Sequence, residues 1–228
     1  MLIERLIKDN PKFHKYKGSF TSWAPHPDTL RFLYNLLTPG MSTLETGCGQ
    51  TTVVFSIADT KHTCITPDPG HAKRVKQYCA KLGLKKNITF LIESSDIALP
   101  SKVIKPTGLE KFYKYLTRLF GLGKELLPSE LDHIPSELDH ILIDGAHRFP
   151  FPIIDWHYTA PKLRLGGILS VDDFKMPSVK ILYDFLCIEE EWELIEVIHN
   201  TAFFRKLREP FIIDDWQNQK INLTFQGG

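Results

Sequence analysis

The chain lacks the features that mark several large protein classes. Its 28 Lys and Arg residues nearly balance 27 Asp and Glu residues, so the formal net charge is only +1. Because non-specific nucleic-acid binding needs a basic surface, this balance argues against a general nucleic-acid binder. No apolar run approaches the ~20 residues that span a membrane. The charged N-terminus also lacks the apolar stretch of a signal peptide.

Cysteine is scarce as well. The chain has four cysteines, and none of them forms a Cys-x-x-Cys pair or stands at zinc-finger spacing. Four scattered cysteines in 228 residues do not make a disulfide framework. We therefore expect reduced, mostly buried thiols and a cytoplasmic location. The remaining composition, 43% apolar and 24% charged, is typical of a globular protein with an ample core.

Strand and helix patterns alternate after residue 40. The patterns predict strands over residues 43–46, 62–66, 88–92, 138–143, 168–171, 193–199 and 202–207. They predict helices over 51–58, 70–82, 155–165 and 178–189, the third of which ends at the pair Gly166-Gly167. Such alternation indicates an α/β fold with a mostly parallel sheet. The last two strands, joined by a short link, are predicted to form an antiparallel hairpin.

Residues 1–40 stand outside this alternation and are predicted to form an N-terminal helical extension of the domain at 41–228. They contain Trp23-Ala-Pro-His-Pro-Asp28, followed by an apolar helical stripe from Leu30 to Leu37. Asp28 is a plausible N-cap for this helix, and Pro39-Gly40 a plausible end. Trp23 and His26 lie either near a ligand pocket or in a core cluster.

A basic helical insertion is predicted within residues 101–135. Six basic residues and two glutamates give residues 101–127 a net charge of +4. Leu109, Phe112, Leu116 and Leu119 fall on one helical face. This segment is a surface helix packed on the core, an active-site lid, a docking face for an acidic substrate, or a peripheral membrane contact. The sequence of 128–134 recurs unchanged at 135–141, which suggests that the first copy is a surface insertion.

A glycine-rich turn follows the first predicted parallel strand: Leu44-Glu45-Thr46-Gly47-Cys48-Gly49-Gln50-Thr51-Thr52. Glycines there let the backbone approach a ligand, and the start of the next helix offers free N–H groups to a negative group. The dinucleotide fingerprint has a third glycine where this chain has Thr52. The alternative is a tight turn that binds nothing.

Polar residues also follow the second and third strands. Asp68 lies about 20 residues beyond the glycines, the spacing of an acid that binds ribose hydroxyls in nucleotide-binding folds. An isolated Asp-Pro is also a common turn. Ser94-Ser95-Asp96, after the third strand, is either a loop or a contact to an adenine.

Carboxylates and a histidine follow two further strands. The sequence has Asp144-Gly145-Ala146-His147 after one strand and Asp172-Asp173 after the next. The carboxyl ends of parallel strands meet at one edge of a sheet, so we expect these side chains to lie together. Converging carboxylates are costly without positive charge, and a hard divalent cation would supply it. The alternative is helix capping, solvation, or pairing with Lys or Arg.

Taken together and in this order, these motifs resemble class I S-adenosylmethionine-dependent methyltransferases over residues 41–207. The pattern Asp-Gly-x-His, Gly-Gly and Asp-Asp is similar to the small-molecule O-methyltransferase-like branch. The resemblance implies a doubly wound, Rossmann-like sheet with an antiparallel last strand. It also implies an enzyme that transfers a methyl group from S-adenosylmethionine to an oxygen of a small-molecule acceptor, with no nucleic-acid partner.

The resemblance also implies which residues hold the cofactor. The family usually has an acid at the position of Thr66, so either Thr66 or Asp68 would meet the ribose. The implied cofactor-binding residues are Glu45, Thr46, Gly47, Cys48, Gly49, Thr51, Thr52, Thr66, Asp68, Ser95, Asp96 and Asp144.

Metal and catalytic roles are carried over in the same way. Asp144, Asp172 and Asp173 match the metal-binding positions of catechol-type members, with Asp in place of Asn at 173, so the resemblance implies an optional Mg²⁺. His147 stands where those members have a lysine base, and His147 and Asp144 are the implied catalytic residues. A histidine titrates near neutrality and can accept a hydroxyl proton. The alternative is a structural histidine that donates to a carboxylate.

Two other functions remain open at this stage. One is an NAD-dependent oxidoreductase on a similar fold, against which Thr52 and the Asp-Gly-Ala-His motif both count. The other is a non-catalytic adaptor that binds S-adenosylmethionine without turnover. The acceptor of a methyltransferase stays open among saccharides, phenols, lipid-linked molecules and peptides, and no feature indicates an oligomeric state.

Overall fold

The computed structural model describes residues 1–84, 87–103, 135, 137–208, 217 and 219–224, of which 101–103 and 224 are described as backbone only. The predicted basic helix around 109–119 and the first copy of the repeat at 128–134 therefore lie outside the described residues. No helix in the described part of the chain is long and apolar enough to cross a membrane.

A seven-stranded sheet forms the centre of the molecule. A small hairpin, β1 (His14–Tyr16) with β2 (Ser19–Thr21), precedes it. The sheet consists of β3 (Ser42–Thr46), β4 (Lys61–Ile65), β5 (Ile88–Leu91), β6 (Leu138–Ile143), β7 (Leu163–Val171), β8 (Trp192–Ile198) and β9 (Thr201–Lys206). Its order is β5-β4-β3-β6-β7-β9-β8. All neighbours up to β7 are parallel, while β9 is antiparallel to both β7 and β8. The predicted mostly parallel sheet with an antiparallel end is confirmed.

Helices cover both faces of the sheet. They are α1 (Leu2–Asp9), α2 (Pro27–Leu36), α3 (Gln50–Ile57), α4 (Pro69–Lys81), α5 (Ser95–Val103), α6 (Phe151–Thr159), α7 (Pro177–Ile188) and α8 (Lys220–Thr224). Successive strand residues point to opposite faces, so Cys64 joins the cluster with α1 to α4 and Ile65 joins the cluster with α5 to α7. Both faces of the sheet are covered, so β3 and β4 are buried on both sides even where they carry polar residues such as Thr43, Glu45 and His62.

The strand β7 differs from its prediction. The third predicted helix, placed at 155–165, spans Phe151–Thr159 instead and is followed by a single 3₁₀ turn, Ala160–Lys162. The pair Gly166-Gly167 lies inside β7 and does not end a helix. There the register between β6 and β7 shifts, and Gly166 has a φ of +72°. The glycines therefore serve a β-bulge, a role that a helix-stop interpretation of the same residues misses.

The start of α2 also differs from its prediction, in which Asp28 is the N-cap. His26 is the N-cap instead, and its Nδ1 accepts a hydrogen bond of 3.2 Å from the Asp28 backbone N–H. Pro27 takes the first helical position, where its fixed φ suits the helix and its missing N–H costs nothing. Asp28 thus falls in the first helical turn, which leaves its carboxylate available to other side chains.

The first 40 residues pack in the core cluster that they share with α3 and α4, and Gln50 at the start of α3 adds hydrogen bonds to them. The Gln50 side chain is buried, and its Nε2 donates to Asn10 Oδ1 at 2.8 Å and to Ser22 Oγ at 3.0 Å. Tyr78 on α4 adds a second link, donating from its hydroxyl to Asp9 Oδ2 at 2.9 Å. These bonds hold the segment before α2 against the end of the sheet where the parallel strands terminate.

Candidate functional site

A cavity of about 790 Å³ opens at the carboxyl ends of the central parallel strands. The turns after β3, β4, β6 and β7 form its floor, and residues of the N-terminal segment and of the β8–β9 turn form the wall above. Its volume lies within the ≈ 300–1,000 Å³ of small-molecule sites. The cavity contains these predicted site residues: Gly47, Cys48, Gly49, Thr51, Thr66, Asp68, Ser95, Asp144, His147, Asp172 and Asp173.

Gly47 fixes the shape of the glycine-rich turn. Its φ is +103°, and a Cβ at this position would lie 2.1 Å from the backbone oxygen of Asp144. Only glycine permits such an approach, so the turns after β3 and β6 come into backbone contact. At the other end of the turn, the Gly49 N–H donates to Thr52 Oγ1 at 2.9 Å and so caps α3. The turn and the helix start therefore form one connected part of the cavity floor.

Glu45 stabilises this part of the floor by binding the start of α3. Its carboxylate is fully buried and accepts hydrogen bonds from the Thr51 hydroxyl, at 2.9 Å, and from the Thr52 hydroxyl. His62 Nε2 lies 3.3 Å from the same carboxylate. Because its oxygens are engaged in this way, Glu45 holds strand and helix together. Four of the predicted cofactor residues do not line the cavity: Glu45, Thr46, Thr52 and Asp96.

Thr66 and Asp68 both line the cavity after β4. Asp68 is already the N-cap of α4, since its Oδ1 accepts from the Gly70 N–H at 2.6 Å and from the His71 N–H at 3.3 Å. Its Oδ2 lies 3.1 Å from His71 Nε2. Which of Thr66 and Asp68 would bind a ribose therefore stays open. The Asp68 carboxylate already accepts hydrogen bonds from the start of its own helix.

His147 lies between two carboxylates on the cavity floor. Its Nε2 is 3.7 Å from Asp144 Oδ1, and its Nδ1 is 3.7 Å from Asp173 Oδ2. The Ser178 hydroxyl donates to the His147 backbone oxygen and so fixes the turn to the start of α7. The Nε2 atom is buried without a hydrogen-bond partner among the described residues. A buried polar atom of this kind marks a place where a ligand group can bind.

Two aspartates of the cavity floor, the buried Asp172 and the partly exposed Asp144, carry perturbed pKa values. The pKa of Asp144 is raised well above its ordinary value, first by removal from water and then by the charge of Asp172. The pKa of Asp172 is also raised by burial, although the Thr201 hydroxyl, which donates to its Oδ1, opposes that rise. Perturbed carboxyl groups of this kind are typical of functional sites.

The predicted metal ligands do not converge on one point. Oxygen ligands suit Mg²⁺ chemically. However, within the described ranges a single group of three ligand-type side chains brings its atoms within 4.8 Å of one another, and it consists of His26, Asp28 and His199. The arrangement of Asp144, Asp172 and Asp173 therefore does not fit one cation held by all three. Mg²⁺ at these carboxylates stays a prediction.

Several residues that line the cavity belong to no sequence motif. Trp23 and His26 both line it, and Trp23 is 57% exposed, so it belongs to no core cluster. The other lining residues without a sequence motif include His14, His71, Lys175, Met176, His199, Asn200 and Thr201. The predicted topology does indicate one of these groups. Because β9 runs antiparallel to β7, the β8–β9 turn lies at the carboxyl ends of the parallel strands, beside the cavity.

Asp155 on α6 is a fully buried carboxyl group behind the cavity floor. Neither oxygen accepts a well-formed hydrogen bond from the described residues, although the Ser95 and Thr46 hydroxyls lie close enough to favour the ionised form in part. Burial dominates and raises the pKa of Asp155 to about 6. A raised pKa means that the folded state favours the protonated carboxyl, and this stability is lost as pH rises through about 6.

Asp155→Asn should therefore stabilise the protein at alkaline pH. The amide has the shape of the protonated carboxyl and never ionises, so we expect a gain of about 1–3 kcal/mol above pH 7 that shrinks toward zero near pH 4. Urea denaturation at several pH values measures this. The exposed Asp184→Asn, which removes an ion pair with Lys180, is the control and should change stability little. Equal pH profiles for Asp155→Asn and the unaltered protein would contradict the expectation.

Comparison with known proteins agrees with this geometry. A family model described as a methyltransferase domain matches residues 44–174, which is more than half of the chain. No protein of curated function matches the chain. The matched range begins in β3 and ends just after Asp172-Asp173, so it contains the turns after β3, β4 and β6 and the first part of the turn after β7.

Solved structures share the fold at low sequence identity. A protein from Corynebacterium glutamicum is 12% identical with a TM-score of 0.61, covering 91% of this chain and 90% of its own. The O-methyltransferase TomG from Streptomyces achromogenes, in complex with S-adenosylmethionine, is 13% identical with a TM-score of 0.57. The match covers 81% of this chain and 82% of TomG. An rRNA methylase from Streptococcus thermophilus is 12% identical with a TM-score of 0.51. The match covers 81% of this chain and 98% of the methylase. The chain belongs to the class I S-adenosylmethionine-dependent methyltransferases.

Proposed function

We propose that this methyltransferase transfers the methyl group of S-adenosylmethionine to an oxygen atom of a small-molecule acceptor, and that His147 accepts the acceptor's hydroxyl proton. The observation that carries the proposal is the position of His147. Its imidazole lies in the same cavity as the glycine-rich turn and is flanked by Asp144 and Asp173 at 3.7 Å each.

The cofactor would lie along the cavity floor. Loop 47–49 and the start of α3 would receive the methionine end, since N–H groups at a helix start attract a carboxylate. Thr66 or Asp68 would meet the ribose, and Ser95 the adenine. Glu45, Thr46, Thr52 and Asp96 do not line the cavity. We therefore assign them to the support of the residues that do.

The reaction is a displacement at the methyl carbon. The acceptor oxygen forms a bond to that carbon while the carbon–sulfur bond breaks, and the sulfur keeps the electron pair as S-adenosylhomocysteine. The hydroxyl proton passes to a ring nitrogen of His147, and the carboxylate of Asp173, 3.7 Å from Nδ1, stabilises the resulting imidazolium. Holding donor and acceptor in line is the larger contribution of the protein. General-base catalysis then adds about 10²–10⁴-fold.

A small acceptor is supported by the volume of the cavity, about 790 Å³, which lies within the range of small-molecule sites. Residues of the N-terminal segment, among them Trp23 and His26, form a wall above the floor. One solved structure of the same fold bears the name of an rRNA methylase, so RNA belongs among the acceptors tested. A cytoplasmic location and contact of residues 101–127 with an acidic surface or membrane stay predictions.

His147→Ala should reduce kcat at least about 100-fold and leave the affinity for S-adenosylmethionine within about three-fold. His157→Ala is the matched control, because His157 is an exposed histidine on α6 that does not line the cavity. Calorimetry measures the affinity, and transfer of a labelled methyl group measures turnover. Full turnover of His147→Ala would exclude the imidazole as the proton acceptor.

The acceptor class is tested with the unaltered protein. Calorimetric titration with S-adenosylmethionine, S-adenosylhomocysteine and NAD comes first, and we expect the first two to bind and NAD not to bind. Labelled methyl transfer is then measured with phenolic, saccharide, lipid-linked, peptide and RNA acceptors, with and without EDTA. Methylation of RNA alone would overturn the small-molecule proposal. Turnover that is unchanged in EDTA would contradict the predicted Mg²⁺.

A further inference from the structure

A second group of ligand-type side chains lies at the rim of the same cavity, away from the floor. It consists of His26 and Asp28 at the start of α2 and of His199 in the β8–β9 turn. Both histidines line the cavity, and all three residues are exposed. The proposed methyl transfer uses none of the three. Two imidazoles and one carboxylate are nevertheless the donor set that binds Zn²⁺ and related divalent transition metals.

The spacing of the donor atoms fits such an ion. A single oxygen, Asp28 Oδ2, faces both rings: it lies 3.4 Å from His26 Nδ1 and 3.5 Å from His199 Nε2. Two ligands at bond lengths of about 2.0–2.1 Å in a tetrahedral site are about 3.3–3.4 Å apart. Both oxygen–nitrogen distances therefore match the edges of a tetrahedron around one ion.

The carboxylate is already oriented for this role. Arg31 Nη1 donates to Asp28 Oδ1 at 3.0 Å, which leaves Oδ2 directed at the histidines. The charge of Arg31 is balanced on its other side by Glu4, whose two oxygens accept from Nε at 2.9 Å and from Nη2 at 3.0 Å. An outer partner that fixes a ligating group in this way is typical of metal sites in proteins.

Binding requires one local adjustment. The two rings are tilted by 31° with their centroids 3.5 Å apart, whereas imidazoles on one tetrahedral ion have centroids about 5 Å apart. The rings must therefore separate, and His26 Nδ1 must give up its 3.2 Å hydrogen bond from the Asp28 N–H. Both side chains are about half exposed, so rotation meets little packing.

We propose that His26, Asp28 and His199 form a binding site for a divalent transition metal of the Zn²⁺ type, with at least one coordination position left open toward the cavity. Three protein ligands with an open position are the pattern of sites at which a metal polarises a bound molecule. An ion here would also join the N-terminal segment to the β8–β9 turn. The open position would accept water or an oxygen atom of the acceptor.

Zn²⁺ itself is the probe. Titration of the full chain, by calorimetry against a competing chelator, should show one tight equivalent, and Co²⁺ should give the visible absorption of a four-coordinate site. His199→Asn should lower the affinity for Zn²⁺ at least ten-fold. Asparagine is chosen as the replacement because it tolerates the left-handed φ of +56° found at this position. Asp28→Asn should have a similar effect, whereas His157→Asn on α6 should leave the affinity unchanged.

Equal Zn²⁺ affinity in His199→Asn, Asp28→Asn and the unaltered protein would overturn the proposal, as would the absence of saturable binding. The readout requires neither S-adenosylmethionine nor an acceptor. A failure of the metal site is therefore distinguishable from a failure of the proposed methyl transfer, which His147→Ala tests separately. A third readout is thermal stability, because an ion that binds only the folded state raises Tm, and EDTA should reverse that rise.

Discussion

Gly47→Ala should destabilise the fold by more than about 4 kcal/mol and abolish measurable binding of S-adenosylmethionine. The added Cβ would lie 2.1 Å from the backbone oxygen and 2.8 Å from the backbone carbon of Asp144. Neither atom belongs to a flexible side chain, so the turns after β3 and β6 would have to separate. In addition, a φ of +103° is a conformation that alanine avoids. Urea denaturation measures stability, and calorimetry measures binding.

Substitutions of two other glycines distinguish the two causes of this effect, the clash with Asp144 and the strain of a positive φ. Gly83 has a φ of +72°, and a Cβ added there would meet open space, so Gly83→Ala reports backbone strain alone and should cost about 1–2 kcal/mol. Gly49 has no positive φ, and its Cβ would lie 3.4 Å from His14 Cε1. Gly49→Ala should therefore fold and lose affinity for the cofactor only in part. A Gly47→Ala protein as stable as Gly83→Ala would refute the clash.

Glu45→Ala has the second largest expected effect, a loss of about 3–5 kcal/mol in the free energy of unfolding. The residue is 0% exposed, and its carboxylate accepts from the hydroxyls of Thr51 and Thr52. Truncation would leave both hydroxyls without their acceptor and would open a cavity between β3 and α3. An unsatisfied buried polar group costs about 1–3 kcal/mol, and the cavity adds to that cost.

Two variants calibrate this prediction. Glu45→Gln keeps the side-chain volume and one acceptor oxygen, so it should cost less than half as much as Glu45→Ala. Glu193→Ala removes an exposed glutamate that lies 2.9 Å from Arg205, and such surface pairs contribute less than about 1 kcal/mol. Urea midpoints compare all three. If Glu45→Ala were no less stable than Glu193→Ala, the carboxylate would have no structural role.

Strand periodicity was sufficient to predict most of the sheet. The range 138–143 agrees with β6 at both ends, since it contains the apolar run Ile141–Ile143 and stops at the polar turn Asp144-Gly145. The prediction for the pair Gly166-Gly167 was wrong for a physical reason. Glycine allows both the helix-ending and the bulged conformation, and the choice depends on the register with β6, a contact 25 residues away along the chain.

The site was predictable where topology decides it. Asp144, His147, Asp172 and Asp173 come together because the carboxyl ends of β6 and β7 are neighbours, and the order of motifs implies that arrangement. Side-chain direction was not predictable. Glu45 stands beside the glycines in the sequence, yet its carboxylate lies between β3 and α3. Whether a polar strand residue faces a ligand or a helix depends on the packing of that helix.

The N-terminal wall of the cavity could not be derived from a motif, since residues such as His14 and Trp23 carry no recognisable spacing. Their placement depends on long-range contacts, among them the hydrogen bonds of Gln50 to Asn10 and Ser22. A hydrogen-bond partner 40 residues away leaves no periodic trace in the sequence. Such contacts are visible only once the chain is folded.

The attachment of this wall through Gln50 has an evolutionary consequence. The groups on the floor of the cavity belong to turns of the parallel sheet. Part of the wall opposite them is the β8–β9 turn, and the other part is an N-terminal segment that contributes no strand to this sheet. Selection can therefore alter residues 14–29, and with them the choice of acceptor, while the chemistry on the floor is inherited unchanged. Divergence of substrate among descendants of this chain should accumulate first in that segment.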